Sequence, residues 1–139
     1  MAKIKNIKGR QVFDSRGNPT IEAEIYSEDG HYASAIVPSG ASTGKHEAFE
    51  LRDVNSKAYL GKSVLASVKN INETISKHLK SLDVFDQRKI DKKLIDLDGT
   101  KQKKRLGANA ILSISLASCK VAAVSKKIPL YKIIGNKQI

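Results

Sequence analysis

Apolar and polar residues alternate through much of the first third of the chain, and this alternation predicts β-strands. In the run T-I-E-A-E-I-Y at residues 20–26, the aliphatic side chains fall on one side of a strand and the glutamates on the other. Similar runs lie at residues 4–14 and 32–37. The turn formers D-S-R-G-N-P at 14–19 and S-E-D-G at 27–30 separate the three runs. The pattern predicts a three-stranded antiparallel meander.

The spacing of apolar residues changes after residue 53, and the new period predicts helices. One amphipathic helix is expected over 59–82, a shorter one over 86–97, and a final turn over 129–135. The helix expected over 108–125 is made almost entirely of small and aliphatic residues, so it should be the most buried. Strands followed by three to four helices indicate an α+β fold. The positions predicted to face the core are Leu60, Val64, Val68, Ile71, Ile75 and Leu79 in the first helix and Ile90, Leu94 and Leu97 in the second.

Length and composition bound the class of protein. The chain has 139 residues, of which 40% are hydrophobic, enough for one domain with its own core. The single cysteine, Cys119, cannot form an internal disulfide, and its apolar surroundings predict a buried thiol in a reducing compartment. The N-terminus lacks the apolar block of a signal peptide, and we expect no run of about 18 apolar residues that could span a membrane. These features predict a soluble cytoplasmic protein.

The charge balance raises a second hypothesis. Lys plus Arg number 25 against 14 acidic residues, a net charge of +11, so a polyanion would be attracted. Only 5% of the residues are aromatic, and the chain has neither zinc-finger spacing nor an aromatic RNA-binding motif, which disfavours nucleic-acid recognition. The densest basic run, Lys101, Lys103, Lys104 and Arg105, is expected in a turn. The alternative function is a non-catalytic basic module that binds nucleic acid or another polyanion.

A polar segment rich in glycine is the strongest candidate for function. We name residues 37–46, V-P-S-G-A-S-T-G-K-H, the glycine loop. Its glycines, Gly40 and Gly44, bracket the hydroxyls of Ser42 and Thr43, so the segment could be a lid, an anion cradle or a plain connection. It is not a phosphate-binding P-loop, because the glycines are one residue too close and no Ser or Thr follows the lysine.

The titratable residues do not predict a complete active site within this chain. His31 and His78 are expected at the surface, and His46 is the one histidine in the glycine loop. The acidic residues nearest the loop, Glu47, Glu50 and Asp53, do not have the spacing of a metal site. General acid–base chemistry requires a titratable pair in a cleft, and none is predicted here.

Seven sequence blocks follow one another in order along almost the whole chain. They are D-S-R-G-N-P-T (14–20), V-P-S-G-A-S-T-G-K-H-E-A (37–48), E-L-R-D (50–53), Y-L-G-K (59–62), L-D-G-T (97–100), L-G-A-N-A-I-L (106–112) and P-L-Y-K (129–132). Together these blocks resemble the N-terminal domain of enolase. The chain departs from the family at Val54, Asn55 and Ser63 and in its strong positive charge.

The resemblance implies a glycolytic lyase that dehydrates 2-phosphoglycerate to phosphoenolpyruvate with two Mg²⁺ ions, chemistry of a kind known for the enolase superfamily. In that family the acid, the base and the carboxylates of the first Mg²⁺ belong to a C-terminal barrel, which needs roughly 250 residues. No catalytic residue is therefore expected in this chain. Residues 1–135 would form the N-terminal domain and 136–139 the start of a linker to the barrel.

The same resemblance assigns roles to residues of this domain. Ser42 is similar to the serine that closes over the substrate and gives oxygen ligands to the second Mg²⁺. Arg10 and Glu22 are similar to residues that form salt bridges across a homodimer interface, although strand charges facing solvent would show the same pattern. The remaining residues of the implied substrate lid are Ser39, Gly40, Ala41, Thr43, Gly44, Lys45 and His46.

Overall fold

Three antiparallel strands open the chain in a computed structural model that describes residues 1–38 and 48–135. Strand β1 spans Ile4–Phe13, β2 spans Pro19–Ser27 and β3 spans Tyr32–Ile36, in the spatial order β1-β2-β3. The predicted meander and the α+β class are confirmed.

The helices follow the sheet. They are a 3₁₀ turn at Ala58–Gly61, α1 at Leu65–Lys69, a π-helical segment at Asn70–Ile75, α2 at Ser76–Leu79, α3 at Gln87–Asp98, α4 at Ala108–Lys126 and α5 at Leu130–Gly135. The predicted second and third helices agree with α3 and α4 to within one residue at each end. The segments from α1 to α2 together occupy most of the predicted first helix.

The prediction that the first helix begins at residue 59 is wrong. Tyr59, Leu60 and Gly61 have φ angles of 51°, 56° and 78°, so they form a left-handed turn that no right-handed helix can include. Leu60, predicted to face the core, is 91% exposed. The helix starts only at Leu65 because its first amide groups need an acceptor, and the carboxylate of Asp53 accepts from the amides of Leu65 and Ala66. This cap comes from a residue 12 positions away, which the helical periodicity does not reveal.

The edge of the sheet along β1 is covered by the π segment. The Asn72 side chain accepts a hydrogen bond from the Gly9 amide at 2.8 Å and donates one to the Gly9 carbonyl at 3.1 Å. A β-carbon at position 9 would lie 2.9 Å from the side chain of Ile71, so glycine permits this close approach. The pair of bonds satisfies backbone groups that an open strand edge would leave unpaired.

Helix α4 lies against the inner face of β2 and β3, as its small residues predict. The side chains that face the sheet from α4 include Ala110, Ile114, Ala117 and Val121, and all four are fully buried. Among the described residues, α4 is also long and apolar enough to cross a bilayer, so the expectation that no run reaches that length is wrong. More than half of its apolar stretch is buried against the protein itself, which identifies it as the core helix.

The burial of Cys119 and the exposure of His78 agree with expectation, whereas His31 differs. Cys119 is buried on α4, and burial raises the pKa of its thiol, so the group stays protonated at neutral pH. His78 is exposed on α2. His31 is half-buried rather than exposed, and its Nδ1 lies 3.2 Å from the carboxylate of Asp29.

Candidate functional site

The glycine loop itself lies largely outside the described residues. The predicted lid residues Ser39, Gly40, Ala41, Ser42, Thr43, Gly44, Lys45 and His46 all fall in the range 39–47, which is not described. The structure does describe the chain on either side, up to Pro38 and from Ala48 onward. The candidate site is therefore built from the contacts that fix these two ends.

The end that enters the loop is fixed to β2. The Val37 amide donates to the Ile21 carbonyl at 3.0 Å, and the Thr20 hydroxyl donates to the Val37 carbonyl at 2.6 Å. Val37 and Thr20 are both buried. A buried hydroxyl that has its partner holds the backbone more firmly than a solvated one, so the chain leaves the sheet from a fixed point.

The end that leaves the loop is fixed to the N-terminus of α4. The Phe49 amide donates to the Gln102 carbonyl at 2.6 Å, and the Phe49 carbonyl accepts from the Ala108 amide at 2.7 Å. The Ala108 amide belongs to the first turn of the helix, which has no acceptor within the helix. The returning chain thus supplies a cap that the helix would otherwise lack.

A buried asparagine completes this attachment. The Asn109 amide oxygen accepts from the Leu51 amide at 3.2 Å, and its nitrogen donates to the Leu51 carbonyl at 3.0 Å. Ser67 also bonds to both the Leu51 carbonyl and the Asn109 oxygen. A β-carbon on Gly107 would lie 2.6 Å from Asn109 Oδ1 and 2.7 Å from Leu51 Cβ, so only glycine permits this approach. Two distant segments are joined here through one side chain.

Arg52 ties the two ends of the loop to one another. Its Nη1 donates to the Pro19 carbonyl at 2.8 Å, immediately before the Thr20 that holds the entering end. Its Nη2 bonds to the carboxylate of Glu50. The guanidinium group can do this because it carries five donors in a fixed plane. Both ends of the glycine loop therefore converge on the start of β2.

The turn between α3 and α4 contacts the leaving end of the loop through Gln102, whose carbonyl accepts from the Phe49 amide. The buried Asp98 carboxylate accepts from the Leu106 amide at 2.7 Å, the Thr100 amide at 2.9 Å and the Thr100 hydroxyl. Burial opposes ionisation of Asp98, but these hydrogen bonds outweigh it and lower its pKa below the ordinary value. An ionised, fully bonded carboxylate thus holds the turn that carries Gln102.

Arg10 and Glu22, the predicted interface pair, lie opposite each other on β1 and β2. Arg10 Nη1 bonds to Glu22 at 2.6 Å and to Glu24 at 2.7 Å, and the three side chains are only partly exposed. These bonds raise the pKa of Arg10, with the bond to Glu24 contributing most and the bond to Glu22 next. Arg10 in turn lowers the pKa of Glu24. The pair is thus part of a three-residue network, and the sequence reading missed Glu24, two residues further along the same strand face.

The described residues do not form a metal site. Within 1–38 and 48–135, no group of three or more His, Cys, Asp and Glu side chains lies close enough to hold an ion. The described carboxylates nearest the glycine loop are already engaged, since Glu50 bonds to Arg52 and Asp53 caps α1; Glu47 lies outside the described residues. A magnesium site would need ligands other than these residues.

Comparison with known proteins gives these contacts their context. The family model described as "Enolase, N-terminal domain" matches residues 4–134. The chain belongs to this family. It is also 62% identical over 132 residues to the enolase of Pelagibacter ubique (strain HTCC1062), an alignment that covers 95% of this chain and 31% of that protein. The chain thus spans about a third of the length of the curated enolase that it matches.

The sequence blocks that identify the enolase N-terminal domain are largely the blocks that fix the glycine loop. Pro19 and Thr20 hold the entering end, 50–53 hold the leaving end, and Asn109 joins the latter to α4. The sequence reading used these residues only as markers of resemblance. The signal that could have assigned their roles was chemical: Arg, Asn and Thr beside buried aliphatic residues need buried hydrogen-bond partners.

We expect Gly107→Ala to destabilise the domain more than Gly99→Ala. Both glycines have positive φ, 95° and 70°, so both substitutions incur backbone strain, which is about 1–2 kcal/mol for the left-handed conformation of Gly99. A β-carbon at 99 meets only one atom within 4 Å, at 3.7 Å, whereas at 107 it overlaps Asn109 and Leu51. Overpacking adds about 1–3 kcal/mol at Gly107. Urea unfolding measures the difference, and equal losses for the two variants would contradict the described contact.

We expect Asp98→Asn to lower the stability of the domain at neutral pH by about 1.5–3 kcal/mol, since charge-assisted hydrogen bonds are lost. Because the folded-state pKa of Asp98 is lowered, its contribution is present above its unfolded pKa and is lost as pH falls through the folded value. The difference between variant and parent should therefore shrink below about pH 4. Unfolding curves from pH 7 to 2 test this. Asp96→Asn, at an exposed pair with Lys92, is the control and should change little.

Proposed function

We propose that this chain is the N-terminal domain of an enolase that dehydrates 2-phosphoglycerate to phosphoenolpyruvate, a lyase reaction of glycolysis in the cytoplasm. The observation that carries the proposal is the match of residues 4–134 to the enolase N-terminal domain, together with 62% identity to a curated enolase. In the proposed enzyme the general acid and base come from a C-terminal barrel outside this chain. This domain supplies the lid and part of the subunit interface.

The contacts at the two ends support the proposal that the glycine loop is a lid. Thr20 holds the entering end, and Phe49, Leu51 and Arg52 hold the leaving end. A loop whose two ends converge on rigid elements can close without moving the domain, and closure excludes water from a reaction site. In the proposed closed state, residues 39–46 cover the substrate.

Ser42 is the proposed contact between this lid and the metal. Its hydroxyl and carbonyl oxygens would complete the shell of the second Mg²⁺, a hard ion that takes oxygen ligands at octahedral angles. When bound, two Mg²⁺ ions would stabilise the charge that develops on the substrate carboxylate. A neutral serine alone cannot hold Mg²⁺, so the remaining ligands would come from the barrel and the substrate.

The outer face of the sheet is the proposed subunit interface. Arg10 and Glu22 would exchange part of their mutual pairing for partners on the barrel domain of a second subunit. The present arrangement supports this idea because Arg10 already bonds to two carboxylates, so Glu22 can turn to another cation while Arg10 keeps Glu24. A partly exposed network of this kind costs less to rearrange than a buried ion pair.

The lid assignment predicts that Ser42→Ala lowers kcat by roughly tenfold or more, by analogy with the 10–100-fold losses for residues that support a metal site. The test uses a chimera in which this chain replaces the aligned 132 residues of the Pelagibacter ubique enolase. Ser39→Ala, a second serine in the same segment, is the matched control and should have a much smaller effect. Equal losses for the two variants would contradict the assignment of Ser42 as a metal ligand. Full turnover by the 139-residue chain alone would contradict the proposal that the acid and base lie in the barrel.

The interface assignment predicts that Glu22→Gln weakens dimerisation of the same chimera, whereas Glu24→Gln does not. Both substitutions remove one carboxylate charge from the Arg10 network, but only Glu22 is proposed to contact the partner subunit; the further bond of Glu24, from the Tyr26 hydroxyl, lies within one subunit. Sedimentation velocity over a range of protein concentrations gives the dimer dissociation constant. Equal shifts for the two variants would indicate that the network acts only within one subunit.

A further inference from the structure

Four unpaired cations lie within one short turn between α3 and α4. Lys101, Lys104 and Arg105 are exposed and Lys103 is half-buried. Among the described residues, the ion pairs involve Arg10, His31, Arg52, Lys69 and Lys92, so none of the four has a carboxylate partner. Like charges this close repel one another, and an anion held between them would relieve that repulsion.

The turn is a rigid platform rather than a mobile tail. The buried Asp98 carboxylate holds Thr100 and Leu106, and the Thr100 hydroxyl oxygen accepts from the Lys104 amide at 2.8 Å. The Asn70 side chain donates to the Leu106 carbonyl at 3.1 Å, which fixes the far end of the turn. Because the backbone is already ordered, binding of an anion here does not carry the additional entropic cost of ordering the turn.

An open cavity of about 400 Å³ lies on this turn. The described residues that line it are Thr100, Lys101, Gln102 and Lys104; two of these carry positive charge and none is a carboxylate. The Gln102 side-chain amide makes no hydrogen bond to another described residue and can serve as a neutral donor, while the Asp98 carboxylate is buried and occupied by its own donors.

A second basic cavity on the molecule provides a contrast. It has a volume of about 240 Å³ and is lined by His78, Leu82, Lys89, Lys92, Lys93 and Asp96. Asp96 lines this cavity and bonds to Lys92 at 2.9 Å, so part of its charge is already neutralised. Both cavities are basic, but among the described residues only the smaller one has a carboxylate in its lining.

We propose that the turn 100–105 is a binding site for small anions that carry several phosphate groups. The ammonium groups of Lys101 and Lys104 would contact phosphate oxygens from two sides, with the Gln102 amide as a third donor. Lys103 and Arg105 add to the local potential. The site consists wholly of residues of this chain, so it stands or fails independently of the proposed enolase activity.

Inorganic tripolyphosphate is the probe for this site. We expect its addition to the ¹⁵N-labelled 139-residue chain at low salt to shift the amide resonances of residues 100–105, with saturation at one anion per chain. Lys101→Glu combined with Lys104→Glu should raise the dissociation constant by roughly tenfold or more, because each reversal removes one attraction and adds one repulsion. Affinity should fall as salt is added, since both partners are exposed.

Lys89→Glu combined with Lys93→Glu is the matched control. It changes the net charge by the same amount at the other basic cavity and should raise the dissociation constant by less than about threefold. Equal weakening by the two double variants, or shifts spread over the whole basic surface, would mean that net charge alone attracts the anion and would overturn the proposal. Absence of binding by the parent chain would also overturn it. All four lysines are exposed, so circular dichroism should show that both variants remain folded.

Discussion

The burial of α4 against the sheet is the contact on which the rest of this domain depends. Small residues on the helix let its backbone approach β2 and β3, and Ile21, Ala23 and Ile25 meet it from the inner face of the sheet. Each fully buried isoleucine contributes about 1.5–3 kcal/mol relative to an exposed one. The contact fixes the helix in position. The N-terminus of that helix in turn holds the leaving end of the glycine loop.

The frame of the glycine loop follows from that fixed N-terminus. The first amide groups of α4 and the side chain of Asn109 hold the leaving end of the loop, and Arg52 carries the connection back to Pro19 beside the entering end. The bonds are buried or half-buried, so water competes with them poorly. These bonds attach the entering end of the glycine loop to β2 and its leaving end to α4.

Charge is distributed over this domain in two distinct ways. On the outer face of the sheet, Arg10 is balanced by Glu22 and Glu24 across neighbouring strands. On the turn between α3 and α4, positive charges have no partner among the described carboxylates, and the buried Asp98 fixes the backbone that carries them. The balanced network on the sheet suits a subunit contact in which the ion pairs exchange partners. The basic turn suits the binding of an anion. The net charge of +11 alone distinguishes neither.

The sequence by itself determined the meander, the buried helix α4 and the family, because alternation, helical periodicity and ordered motifs are properties of neighbouring residues. The family resemblance also singled out Arg10 and Glu22. Only the tertiary structure decided that the first helix begins at Leu65, since its cap comes from Asp53, and that Asn109 joins α4 to Leu51. Such contacts join residues that are far apart in the chain. Their geometry depends on how the whole fold packs, which no local pattern of residues encodes.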